Sequence, residues 1–358
     1  AGTARAATDV WLVAQPYDLL PPDGITVPMW GDGLADPGFA NIQPPTAPGP
    51  FLTVTSAPLT VHLRNTLAVP VSIMIPTLPV EMDPVKFTDP TGRARIRSFT
   101  HETAPGADGT YVFSTLREGT FLYTSGTHIQ VQQQMGLYGG LKVELVPGQA
   151  YPGVPYDVES VFIYSEIDPD LHFTVTNGIY GTPDYPSTLE YAPSYYLLNG
   201  SVYTSAVTPT ISGGAGQTVL VRFLNAGLRP KVPQVLGGYL ELVAEDAFPY
   251  PHSRAQYGVS LAPGKTLDAL AAFAVAGSLP LLDRIGYAPV RPIRDLNLDG
   301  LYNNEDLVIM ASFLAGSVTP GTPPFNSIAA AADLDNNGLT NAADLSRMLR
   351  ELAGWFPY

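Results

Sequence analysis

Residues 295–306 (DLNLDGLYNNED) and 333–344 (DLDNNGLTNAAD) are two versions of one twelve-residue acidic loop. In the first copy Asp295, Asn297 and Asp299 offer side-chain oxygens at positions 1, 3 and 5. Gly300 permits a sharp turn, Leu301 supplies a backbone carbonyl at position 7, and Asp306 closes the loop at position 12. Asn303 stands where a ligand acts through water. The second copy repeats the arrangement with Asp333, Asp335, Asn337, Gly338, the Leu339 carbonyl, Asn341 and Asp344. Hard oxygen donors at this spacing suit Ca²⁺, so the sequence predicts two calcium sites. Acidic turns that merely cap helices share the composition, but a position-by-position match in both copies favours the metal. The carboxylates within each loop repel one another, so calcium is expected to order the segment.

The elements that must position these loops follow directly. After each loop apolar residues recur at helical spacing, Leu307, Met310, Ala311 and Leu314 in one copy and Leu345, Met348, Leu349 and Leu352 in the other. Both runs end in Leu-Ala-Gly, which makes Gly316 and Gly354 expected helix C-terminal caps. The unit is a loop followed by one amphipathic helix, duplicated over residues 293–358, and it resembles a type I dockerin. That resemblance implies a cohesin-like domain as partner. Dockerins of this kind usually read cohesin through loop positions 10 and 11, often a Ser-Thr pair. Here those positions hold Asn304 and Glu305, then Ala342 and Ala343. The departure turns the expectation toward head-to-tail association with the next identical chain, with the cohesin scaffold as the alternative. The terminal Gly354-Trp355-Phe356-Pro357-Tyr358 offers an apolar anchor for such a contact, or packs back on its own module.

The first 290 residues read differently. Alternating segments at 59–63, 111–113, 120–123, 140–146, 161–165, 218–223 and 239–244 are bounded by Gly, Pro, Asn and Asp, the pattern of antiparallel sandwiches. A Pro, Gly and Tyr-rich stretch at 147–156 reads as a linker, as does 287–292. The expected organisation is mainly β, two tandem Greek-key β-sandwiches at 1–148 and 155–288 followed by a small α-helical module at 293–358.

Longer words in the strands carry a second resemblance. Residues 104–145, including GTFLYTSGTHIQVQQQMGLYGG, resemble the end of the first cupredoxin domain of a bacterial multicopper oxidase. Residues 221–251 and 261–273 resemble the second, so the likeness runs over roughly residues 8–285. In that family the segment after Gly-Thr-Phe reads close to Trp-Tyr-His-Ser-His, whereas this chain has Thr124, Ser125 and Gly126. An earlier His-x-His is replaced by Ser72 and Met74. The resemblance therefore implies a cupredoxin fold from which the four first-domain copper histidines are gone. The calcium module stands where a third cupredoxin domain is expected. The chain has no cysteine, which excludes type 1 copper along with disulfides, thiolate nucleophiles and iron–sulfur clusters.

Other chemistry is weaker. The five histidines include His62, His101 and His128, none at short chelating spacing, and His172 and His252, which read as structural. The word SGGAGQT, 212–218, lacks the lysine of a phosphate loop and reads as a hairpin turn. The acidic SEIDPD, 165–170, holds paired carboxylates of the kind used in glycosidic cleavage, but reads as a solvated strand end. Asn199-Gly200-Ser201 is a glycosylation sequon of low specificity. With 18 Lys and Arg against 32 Asp and Glu, the net charge of −14 makes nucleic acid and anionic lipid poor partners. The most apolar stretch, 269–282, is broken by Gly277 and Pro280 and is too short to span a membrane. The chain starts without a charged and apolar leader, which implies that any secretion signal has been removed.

The expected protein is a non-catalytic extracellular or cell-surface structural subunit, copper-free and calcium-binding. The alternatives are an accessory subunit docked to a cohesin scaffold, with exposed tyrosines binding polysaccharide, and a divergent metal-dependent oxidase.

Overall fold

The computed structural model describes residues 8–22, 26–55, 57–79, 81–183, 185–203, 209–283, 296, 304–316 and 340–352. The protein is mainly β. In the first sandwich, strand Thr8–Leu19 pairs antiparallel with Val27–Ala35 on one side and parallel with Leu59–Asn65 on the other, and Asp108–Phe113 completes the sheet. The facing sheet orders Gly49–Val54, Tyr138–Val143 and Gly119–Thr124. Alternation decides which side chains meet between them: Leu59, Val61 and Leu63 point inward onto Phe121, Leu141 and Val143.

The second sandwich repeats the plan. Val158–Ile167 runs parallel to Gln217–Asn225 as Thr8–Leu19 does to Leu59–Asn65, within a seven-stranded sheet. Thr210–Gly213, Gly277–Asp283 and Pro233–Val235 face it. The repetition reaches individual side chains. Asn65, buried at a strand end, donates from Nδ2 to the Val69 and Thr103 carbonyls at 2.8 and 3.0 Å and accepts the Leu67 N–H at 2.9 Å. Asn225 does the same with Arg229, Leu261 and Gly227 at 2.9, 3.0 and 2.9 Å. Each asparagine ties off a turn that no ladder reaches.

Each sandwich has a core of its own, and a further apolar cluster joins the two. Val27, Met29, Leu122 and Tyr138 of the first pack in a single cluster with Ile163, Leu197, Leu224 and Ala226 of the second. Within residues 147–156, Gln149–Tyr151 and Val154–Pro155 form a small antiparallel pair, and the Tyr151 side chain is buried. The Gly-rich word at 212–218 is a turn, but not a hairpin. Thr210–Gly213 pairs with Gly277–Asp283 while Gln217–Asn225 pairs with Thr266–Phe273, so the turn carries the chain from one sheet to the other.

Two short helices flank the junction of the sandwiches: α1 (Ile129–Met135) and α2 (Pro169–Thr176). Helix α2 begins with Asp168 as N-cap, its carboxylate accepting the Asp170 N–H, and with proline at its start. The word at 165–170 is thus no solvated strand end. Glu166 is buried because Lys231 Nζ lies 2.9 Å from one oxygen while the Leu228 and Arg229 N–H groups reach the other at 2.7 Å.

In the C-terminal module, α3 (Asn304–Leu314) and α4 (Ala342–Leu352) pack against each other, with Met310 and Met348 buried. Gly316 takes the left-handed conformation, φ 72°, that a helix C-terminus requires. Gly354 lies outside the described residues. Among those described, no helix is long and apolar enough to cross a membrane.

His172, within α2, is buried against the first sandwich, with Nδ1 2.8 Å from the Pro28 carbonyl oxygen. Burial pushes its pKa down to about 4, since charging it would strand a cation in the core. The neutral ring is therefore the folded form. Its contribution is complete above the ordinary value of 6.5 and is lost as pH falls through 4. Replacing His172 with Gln is expected to leave stability less dependent on pH between these limits, by about 3 kcal/mol at the acid end. Denaturant melts of both proteins at pH 7.5 and pH 4 measure this, and equal differences at the two values would refute it.

Candidate functional site

The positions to which the sequence resemblance assigns copper histidines, Ser72, Met74, Thr124 and Gly126, come together in space. Met74 and Thr124 exchange both backbone hydrogen bonds, at 2.8 and 2.9 Å, and Gly126 N–H donates to Ser72 Oγ at 3.0 Å. Around them a closed lattice of hydroxyls has formed. Thr127 Oγ1 lies 3.0 Å from both Ser72 Oγ and Ser98 Oγ, donating to one and able to accept from the other, and the two serine oxygens are themselves 3.1 Å apart. Ser125 Oγ donates to Gln132 Oε1 at 2.6 Å and accepts the Ser72 and Thr127 N–H groups at 3.3 Å. All of these side chains are buried. No room is left: a Cβ placed on Gly126 would meet Met74 Cβ at 3.2 Å and Ser72 Oγ at 3.3 Å. Neutral hydroxyls committed to one another supply neither the imidazole nitrogen nor the negative charge that holds a copper ion. Sequence reading found Ser72, Met74, Thr124, Ser125 and Gly126. It missed Ser98 and Thr127, which carry no signal beyond being small and polar.

The histidines are dispersed among other tasks. His62 stacks on Trp11 with ring centroids 4.5 Å apart and lies 3.0 Å from Asp9 Oδ1. His101 stacks on Tyr111. His128, its backbone left-handed at φ 40°, lines a cleft of about 440 Å³ between the sandwiches with Trp30, Arg97, Gln132 and Tyr180. His252 is exposed on the edge strand Phe248–Gln256. Among the described residues no three His, Asp or Glu side chains gather as a metal site. The sequon asparagine, Asn199, uses both ends of its amide on backbone groups, donating to the Val161 carbonyl and accepting the Ile163 N–H.

Of the predicted calcium ligands, Asp295, Asn297, Asp299, Leu301, Asp333, Asp335, Asn337 and Leu339 lie outside the described residues. Asp306 and Asp344 are described, and each sits buried in the first turn of its helix, 0% and 1% exposed. Asp306 Oδ1 accepts the N–H of Leu296, the second residue of the predicted loop, at 2.6 Å. Asp344 Oδ2 accepts the Asn341 N–H at 2.8 Å while Asn341 Oδ1 accepts that of Ala343, a capping box. A carboxylate has lone pairs enough to cap a helix and coordinate an ion together, so both residues fit the closing position of a calcium loop. Positions 10 and 11, Asn304, Glu305, Ala342 and Ala343, are exposed.

Neither a protein-family profile nor a curated protein matches the chain. Solved structures do. The blue copper oxidase from Nitrosomonas europaea aligns over 78% of this chain and 80% of its own, with a TM-score of 0.58 and 16% identity. A multicopper oxidase from Pseudomonas thermotolerans aligns over 78% and 61%, at 0.57 and 25% identity. The copper nitrite reductase from Nitrosomonas europaea aligns over 78% and 89%, at 0.57 and 20% identity. The body of this protein thus has the cupredoxin fold of the copper oxidases.

Proposed function

We propose that this chain is a non-catalytic extracellular assembly subunit. Its two cupredoxin-type sandwiches form a rigid, copper-free body, and a dockerin-like module carrying two Ca²⁺ ions joins that body to the next identical chain in a filament. The observation that carries the loss of oxidase chemistry is the hydroxyl lattice around Ser72, Ser98, Ser125 and Thr127, which fills the space between the replaced positions. The absence of cysteine from the sequence points the same way. Support for the module comes from the duplicated loop and from Asp306 and Asp344, buried where each loop must close. Calcium would be held by Asp295, Asn297, Asp299, the Leu301 carbonyl and Asp306, and by Asp333, Asp335, Asn337, the Leu339 carbonyl and Asp344. It supplies charge neutralisation and fixed geometry to loops that are otherwise self-repelling. The scarcity of free calcium inside cells supports an extracellular or cell-surface location for a protein that depends on it.

Elemental analysis together with electron microscopy tests this reading. Protein purified and dialysed against copper is expected to hold calcium near two ions per chain and copper well below one. It is expected to form filaments in millimolar calcium that disperse in chelator. Stoichiometric copper with oxidation of a phenolic substrate would establish the oxidase reading. Discrete particles in both conditions, with calcium-dependent binding to a cohesin, would establish the accessory-subunit reading.

A further inference from the structure

Among the described residues, an ionic contact links the C-terminal module to the body of the protein. Arg347, on α4, has a side chain only 8% exposed, with Nη2 3.7 Å from Asp168 Oδ1 and Nε 3.3 Å from Asp170 Oδ2. The Asp168 side chain is 1% exposed and that of Asp170 is 19% exposed. Both carboxylates sit at the N-terminus of α2, and Asp168 is held in place by the Asp170 and Ala192 N–H groups at 3.0 and 2.8 Å.

Resting on the self-assembly reading, we propose that this pair is the joint of the filament: Arg347 of one chain enters the Asp168/Asp170 clamp of the next. Every copy carries both halves, so the contact is heterologous and repeats without closing. Residues 284–303 separate the last strand from α3, and twenty residues reach up to about 65 Å, enough to seat the module on a neighbouring body as on its own. Chains of net charge −14 repel one another, so a contact between copies needs a cation on one face opposite anions on the other. Arg347 and the clamp provide that match. Burial outweighs the opposing pull of the nearby Arg347 and leaves the pKa of Asp168 raised to about 6, so removing the cation would raise it further. Arg347 stands one helical turn beyond Asp344, so ordering of the second calcium loop and presentation of the arginine are coupled through one short helix. The contact within a chain competes, because tethering gives the module a high effective concentration near its own clamp. Assembly therefore has a sharp concentration threshold.

Charge reversal in the full-length chain separates the possibilities. Arg347→Glu and Asp170→Lys are made singly and together, and filament formation in millimolar calcium is followed by sedimentation and microscopy. Each single variant is expected to raise the assembly threshold by about tenfold or more. The double variant restores it and shows that the substitutions are tolerated by the fold. An equimolar mixture of the two single variants assembles as well, since each module finds its complement only on the other chain. Single variants that assemble like the unmodified protein overturn the joint while leaving the filament standing. A mixture that stays dispersed while the double variant assembles also overturns it, by confining the pair to contacts within a chain. Failure of the unmodified protein to assemble overturns the filament reading itself.

Discussion

Removing calcium is expected to unfold α3 and α4 and leave both sandwiches intact. With a micromolar dissociation constant and millimolar free ion, each site adds about 4 kcal/mol to the module by mass action. A pair of eleven-residue helices has little else to hold it, since isolated helices of that length are marginal in water. Among the described residues of the module, Leu296, Met310 and Met348 are the buried apolar side chains. Hydrogen exchange with and without chelator reads the effect residue by residue. Amides of 304–316 and 340–352 are expected to exchange at the rate of open chain once calcium is gone, while Leu63, Phe121, Val221 and Ala269 remain protected. Unchanged protection of both helices in chelator would mean that the loops do not hold the metal. The same experiment should loosen Arg347 from Asp168 and Asp170, because the arginine rides on α4.

Substituting Arg222 is expected to cost more than any other single change in the body. Its guanidinium is buried where the sandwiches meet, donating to Thr120 Oγ1 at 2.6 Å and Glu159 Oε2 at 3.0 Å. Thr120 in turn donates to Asp268 Oδ1 at 2.6 Å, and Tyr151 Oη donates to the other oxygen at 2.5 Å. Lys142 Nζ closes the group on Glu159 at 2.5 Å. Burial raises the pKa of Asp268 while the facing Arg222 lowers it, so the carboxylate depends on its partner to stay charged. Arg222→Met removes the cation and leaves a buried acid behind, a loss of about 3–5 kcal/mol. Replacing Asp268 by Asn in the same chain should recover a substantial part, because a neutral amide costs less to bury than an unpaired carboxylate. Denaturant melts of the single and double variants form the test. A loss below about 1 kcal/mol for Arg222→Met would indicate that water reaches the network and screens it.

The strands legible in the sequence are those with one face in a core. Leu59, Val61 and Leu63, or Val219, Val221 and Phe223, announce themselves by alternation because every second side chain is buried. The edge strand Phe248–Gln256 was not legible: most of it is exposed, so burial imposes no period on its Pro, His, Ser and Arg residues. Helix α2 escaped as well. Its Thr and Val residues favour strands, and the local signal for a helix is the short Asp168-Pro169 start. The positions that the resemblance assigns to copper histidines are legible through the surrounding Gly-Thr-Phe and Met-Gly-Leu-Tyr-Gly words, whose residues are buried. The Arg347 clamp could not be read, because Asp168 and Arg347 are brought together only by the packing of two separate units. A solitary arginine on a helix usually marks a solvated face.

The apolar cluster that runs through Leu122, Tyr138, Ile163, Leu197 and Leu224 has a mechanical consequence. Bending the two sandwiches against each other would open water-excluding surface, so under load the pair behaves as one stiff beam. Flexure in an array of such subunits must then fall outside the beams, and the persistence length of the array would be set by its joints alone.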